Sequence, residues 1–156
     1  MGIVDHTPRR WLRRALRAPV WLHRHDLGWM LGERFLYLAT QGRHTSLRRE
    51  TILEVVHLDR STGAVCVVSG WGDRSDWYRN LQLRPALEIR LGKHRLLAPE
   101  HHFLNAEQCH SILLSYRDAH PHAWRRLAPM IGLPIDSTDV RALDQVRAVV
   151  FHPAQD

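Results

Sequence analysis

The chain has 156 residues, 44% of them hydrophobic and 24% charged, a length and balance that fit one globular domain and exclude a disordered or fibrous architecture. Its 22 Lys and Arg against 16 Asp and Glu leave a formal charge of +6, which favours an anionic partner such as a phosphorylated cofactor, nucleic acid or an acidic membrane surface. Lys93 is the only lysine, and the planar fork of Arg suits oxyanions better than the point charge of Lys, although an Arg-rich codon bias explains the same imbalance.

Residues 8 to 18, PRRWLRRALRA, set Trp11, Leu12, Ala15 and Leu16 on one helical face and Arg9, Arg10, Arg13, Arg14 and Arg17 on the other. Pro8 suits the first turn of such a helix and Pro19 stops it. A basic amphipathic helix of this kind either covers the open end of a small barrel or makes peripheral contact with an anionic membrane. Val20 to Leu31 is a second apolar segment, ended by Gly32. Phe35 to Thr40 reads as a strand, and Gln41 to Arg49 as a basic, hydroxyl-rich loop.

Thr51 to Leu58 is the next strand, Asp59 to Gly63 a hairpin turn whose glycine can take positive φ, and Ala64 to Val68 a strand apolar on both faces. Ser69 to Ser75 forms a second loop, after which Asp73 or Ser75 can cap a helix through Trp77, Tyr78 and Leu81 that ends before Pro85. Trp77 and Leu81 share its core-facing side, with Tyr78 and Asn80 pointing elsewhere. Leu87, Ile89 and Leu91 alternate with Glu88 and Arg90 as a half-exposed strand does. His94 to Phe103 reads as one further strand.

Asn105, with Gln108 three residues on, starts a helix that places Cys109, Ile112, Leu113 and Tyr116 on one face. His120 and Pro121 break it, and a second helix carries Trp124, Leu127 and Met130. Gly132 to Thr138 is a loop, Val140 to Asp144 a short helical turn, and Arg147 to Phe151 a closing strand. The prediction is an α+β fold in a single domain over 1–156. It is a mainly antiparallel six-stranded barrel with peripheral helices at about 8–18 and 105–131. Cys66 and Cys109 sit in apolar runs, as buried reduced thiols do, and no apolar run nears the roughly 18 residues of a membrane span. The expectation is a cytoplasmic protein with at most peripheral contact to the inner face of the membrane.

The loop Gly42-Arg43-His44-Thr45-Ser46-Leu47-Arg48-Arg49 offers two hydroxyls, an imidazole and three guanidinium groups, a set that can surround a phosphate or face solvent. It is not a P-loop, because the second glycine and the Lys-Ser/Thr pair of that motif are absent. Ser69-Gly70-Trp71-Gly72 allows a planar ligand close to the backbone, or is a turn with a packed Trp. The 12 histidines include the close pairs His23/His25, His101/His102 and His120/His122, but none has the ligand spacing of a metal site, so none is expected. No G-x-S-x-G elbow supports a hydrolase, and no nucleic-acid motif accompanies the basic residues.

In order, a strand, a G-R-x-[ST]-[GS]-x-x-R loop, two strands, an S-x-x-G loop and W-Y-x-N-L-x-x-x-P resemble the deazaflavin-dependent nitroreductases and quinone reductases found mainly in actinobacteria. The matching residues are Gly42, Arg43, Thr45, Ser46 and Arg49; Ser69 and Gly72; and Trp77, Tyr78, Asn80, Leu81 and Pro85. Where that family often carries Lys and a second glycine, this chain has His44 and Ser46.

The resemblance implies a split β-barrel, like that of FMN-binding proteins, holding coenzyme F-420, an 8-hydroxy-5-deazaflavin with a phosphate and an oligoglutamate tail. It implies that Arg43, His44, Thr45, Ser46, Arg48 and Arg49 hold the phosphate and tail. Ser69, Gly70, Trp71, Gly72, Asp76, Trp77, Tyr78 and Asn80 would surround the ring. Tyr116, His120 and Trp124 follow the barrel where family members place acceptor-facing groups. Hydride passes from the reduced cofactor to a quinone, an activated alkene or a nitroaromatic, and no protein nucleophile is required. FMN as cofactor, or a non-catalytic carrier of a deazaflavin or tetrapyrrole-like ligand, stay open as alternatives. The oligomeric state is also open.

Overall fold

The computed structural model of the chain describes residues 24–25, 32–69, 72–130 and 145–153. The expected helix at 8–18, Gly70, Trp71 and the loop and helical turn between 132 and 144 lie outside the described residues. Strands β1 (Phe35–Gln41), β2 (Arg48–Leu58) and β3 (Val65–Ser69) run as a meander, followed by a single 3-10 turn (Gly72–Arg74) and helix α1 (Asp76–Leu83). Then come β4 (Glu88–Leu91), β5 (His94–Leu97), β6 (Glu100–Phe103), helices α2 (Ala106–Ala119) and α3 (Pro121–Met130), and β7 (Arg147–His152). Among the described residues every pairing is antiparallel, in the spatial order β5-β4-β1-β2-β3-β7-β6.

That order has 7 strands where six were expected. The stretch His94–Phe103 is two strands, because Ala98 adopts φ 45° and Pro99 has no N–H with which to continue a ladder. Its halves pair with opposite edges, β5 with β4 and β6 with β7. One sharp corner therefore joins the two ends of the curled sheet into a split barrel. β2 also begins earlier than expected: Gln41 pairs with Arg48 and Thr40 with Arg49, so these two arginines belong to a strand and have its fixed directions.

Two cores follow from the alternation of side chains along the strands. Leu36, Leu38, Val67, Ile89, Val149 and Phe151 fill the barrel interior together with Tyr78 and Leu81 of α1. Between the outer face of β2, β3 and β7 and the two C-terminal helices, Val56, Cys66, Val68 and Ala148 pack on Cys109, Leu113, Tyr116, Trp124 and Leu127. β3 thus serves both cores, as its uninterrupted apolar run predicts. Burying one side chain of the size of Leu113 or Phe151 is worth about 1.5–3 kcal/mol.

Tyr78 was expected to look away from the core, yet it is buried and stacks edge-on against Phe103 at 5.0 Å. The corner brings β6 over α1 and gives that helix a second apolar neighbour. Glu88, expected to be half exposed, is only 1% exposed, for reasons of charge given below. Among the described residues no helix is long and apolar enough to cross a membrane.

Candidate functional site

β1 and β2 deliver the basic loop to the barrel end where β3 delivers Ser69, because all three neighbours are antiparallel. The loop closes on itself. Gly42 N–H donates to the Leu47 carbonyl at 2.8 Å, Ser46 N–H to the Gly42 carbonyl at 3.0 Å, and Leu47 N–H to Thr45 Oγ1 at 3.4 Å. Gly42 is required by space, since a Cβ there would lie 2.8 Å from Thr45 Oγ1. Ser46 takes φ 56°, a left-handed conformation that costs an L residue about 1–2 kcal/mol.

Asn80 fastens this loop to α1. Its Oδ1 accepts from Arg43 N–H at 3.2 Å and from Arg43 Nη1 at 3.4 Å, and its Nδ2 donates to the buried Thr40 Oγ1 at 3.1 Å. Arg43 Nη1 also meets Asp76 Oδ1 at 3.0 Å. Arg49 Nη2 reaches Thr45 Oγ1 at 3.4 Å. Asp76 itself is mostly exposed, at the first turn of α1, where a carboxylate complements the helix dipole. The side chains of His44 and Ser46 have no hydrogen-bond partner among the described residues. The loop therefore presents an imidazole, a hydroxyl and most of the Arg49 guanidinium outward.

On the other loop, Ser69 Oγ and Ser75 Oγ hydrogen-bond each other in the interior. Ser75 occupies the N-cap of α1 without capping it, its hydroxyl being used to tie the end of β3 to the helix. Gly72 opens the 3-10 turn. Trp77 is half-buried, edge-on to Tyr78.

A second polar group adjoins the basic loop on the outer face of β1, β2 and β4. The Glu88 carboxylate receives Arg48 Nη2 at 2.6 Å, Arg95 Nε at 2.6 Å and Arg90 Nε. Arg48 Nη2 also donates to Tyr37 Oη at 3.1 Å, whose hydroxyl donates to Glu50. Burial alone would raise the pKa of Glu88, but hydrogen bonds from Arg95, Arg90 and Arg48 outweigh it and hold the carboxyl at about 2. Sequence reasoning missed Glu88 and Thr40. For Glu88 a signal existed: the β4–β5 hairpin sets Arg90 directly opposite Arg95, an arrangement that repels unless a carboxylate sits between them.

The three acceptor-side candidates are not brought to this end of the barrel. Tyr116 and Trp124 are buried in the outer core, and Tyr116 Oη donates to Glu54 Oε1 at 2.6 Å. Burial first, and that hydrogen bond second, push the Tyr116 hydroxyl well above its ordinary pKa. α2 carries an apolar stripe that the outer sheet face needs, and packing claims both rings. His120 is exposed and lines a cavity with Arg34, which lies before the opposite end of β1. Among the described residues no three His, Cys, Asp or Glu side chains gather as a metal set.

Comparison with known proteins bears on the whole arrangement. Residues 15–112 match the family described as F420H(2)-dependent quinone reductase. That span includes both loops and α1. No curated protein matches the chain. Among solved structures, an F420-H2 dependent reductase (FDR-A) aligns with a TM-score of 0.50 and 17% identity, covering 78% of this chain and 96% of its own. Another, described as a domain-swapped dimer, aligns with a TM-score of 0.53 and 15% identity, covering 91% of this chain and 97% of its own. Both share the split-barrel fold with this chain.

Proposed function

Because this chain belongs to the F420H(2)-dependent quinone reductase family, we propose that its Gly42–Arg49 segment holds the phosphate and tail of coenzyme F-420, with Ser69–Gly72 and Trp77–Asn80 around the ring. The protein is a deazaflavin-dependent oxidoreductase. The observation that carries the site assignment is the attachment of the basic loop to α1 through Asn80 and Thr40, which makes two separate sequence motifs one rigid surface.

The donor set fits an anionic cofactor. The turn has no room for a Cβ at Gly42, and apart from the exposed Leu47 its outward side chains are donors or cations. When bound, the reduced deazaflavin supplies hydride. Arg49, His44 and the Thr45–Ser46 hydroxyls donate to the anionic end. Arg43, already held by Asn80 and Asp76, adds a fixed positive charge beside them. Arg48, the neighbour of Arg49 in β2, is turned to the other face of the sheet, where Glu88 holds it beside the loop. Asn80 and Tyr78 act through position, one holding the loop and the other seating α1 in the barrel. We assign a quinone as the acceptor.

The test is a fluorescence titration of the purified protein with oxidised coenzyme F-420, with FMN in parallel, followed by mixing the reduced complex with menadione. Micromolar binding of the deazaflavin and menadione-dependent oxidation are expected. Arg49→Ala should weaken binding by about 1.5–3 kcal/mol, the loss of a charge-assisted contact, with an unchanged circular dichroism spectrum. Preference for FMN, or affinity unaltered by Arg49→Ala, would overturn the assignment.

A further inference from the structure

At the barrel end remote from the basic loop, Arg34, His120, His122, Ala123 and Arg126 line a cavity of about 320 Å³. Arg34 immediately precedes β1 and the loop follows it, so the two regions are separated by roughly 25 Å of extended strand. The cavity draws its cations from two places in the fold, the start of β1 and the α2–α3 junction.

The four polar side chains differ in how they are held. Arg34 Nη2 rests on Glu54 Oε1 at 3.4 Å, and the same carboxylate is fixed by Tyr116 Oη. The His120 ring leans on the Tyr116 ring at 5.2 Å. Arg126 and His122, by contrast, make no hydrogen bond or ion pair among the described residues. Two guanidinium groups and two imidazoles thus line one concavity, with the Glu54 carboxylate paired to Arg34. Donors on separate side chains, with Arg126 unpaired, suit a tetrahedral oxyanion better than a planar carboxylate, because three terminal oxygens can be met at once. The volume exceeds that of a bare phosphate and lies at the lower edge of the small-molecule range.

We propose that this cavity binds a phosphate monoester, at a site separate from the cofactor loop. A soluble phosphorylated metabolite and a phospholipid headgroup present the same chemistry, and the experiment separates them. Phenyl phosphate is titrated into the full chain while the imidazole C–H resonances of His120 and His122 are followed by NMR. Saturable shifts of both are expected, with affinity about tenfold weaker in Arg126→Ala, the loss of one charge-assisted contact. Arg125→Ala, one residue along but outside the cavity, should leave affinity unchanged, as should either variant leave the binding of coenzyme F-420.

Co-sedimentation with phosphatidic acid vesicles forms the second arm. A component lost specifically in Arg126→Ala assigns the lipid source, and phenyl phosphate binding without such a component assigns the soluble one. The proposal fails if no resonance saturates, or if Arg125→Ala weakens binding as much as Arg126→Ala. The latter result would mean general charge attraction.

Discussion

At Gly42, side-chain volume decides the shape of the basic loop. A methyl group there would contact Thr45 Oγ1 at 2.8 Å and the Leu47 carbonyl at 3.4 Å, so the tight turn cannot accept it without moving the threonine. Gly42→Ala should therefore cost about 1–2 kcal/mol, of the order of an overpacked site. Most of that should return when Thr45→Ala is added, because the clash is chiefly with that hydroxyl. Urea denaturation of the two singles and the double closes the cycle, and strict additivity would show that the strain lies elsewhere. The loop itself was legible from its residue types. What could not be read was that Asn80, 37 positions after Arg43, would hold it, since a hydrogen bond of that sequence separation exists only once β1 and α1 meet.

Among the elements, the corner between β5 and β6 has the largest consequence. Ala98 is held at φ 45° while its N–H donates to the Leu87 carbonyl at 3.0 Å, so the bend is fixed in place and strained at the residue that makes it. Ala98→Gly should raise stability by about 0.5 kcal/mol, the relief of left-handed strain less the added freedom of the unfolded chain. Ala98→Val should lower it. A shift of the urea midpoint downward in the glycine variant would mean that the strain is not felt there. Elsewhere local rules sufficed: Asn105 and Gln108 form the expected reciprocal capping box, because both partners lie within one helical turn. Pro99 was a sign that His94–Phe103 is broken, but nothing in the run HRLLAPEHHF says which edge each half will pair with.

For the molecule as a whole, Glu88 links charge to stability. Its carboxyl is held at about 2 against an ordinary 4.5. A depressed folded-state pKa means that this stabilisation is complete above about pH 5 and is lost as pH falls toward 2. The size is about 3 kcal/mol, for a group shielded from solvent beneath three arginines. Urea titrations at intervals from pH 7 to pH 2 should show that loss in the native chain. In Glu88→Gln the same segment should be missing, and stability at neutral pH should be lower by about 2–4 kcal/mol, since three guanidinium groups lose their shared acceptor. Equal pH profiles in the two proteins would remove Glu88 from this role.

The sequence by itself determined the barrel class, the three-strand meander with its two loops, the capped helix at Asn105 and the apolar stripe of α2, all of which depend on residues near one another in the chain. Residues 15–112 match the family, and that span holds both loops and the Trp77–Leu81 helix in linear order. Tertiary structure alone decided that the Tyr116 hydroxyl is tied to Glu54, that Glu88 is enclosed by Arg48, Arg90 and Arg95, and that His120 joins Arg34 at the far end of the barrel. The physical reason is common to the three. Burial and charge pairing are settled between strands and helices distant in sequence, and an aromatic or charged residue reads the same whether its partner proves to be a ligand or the rest of the fold.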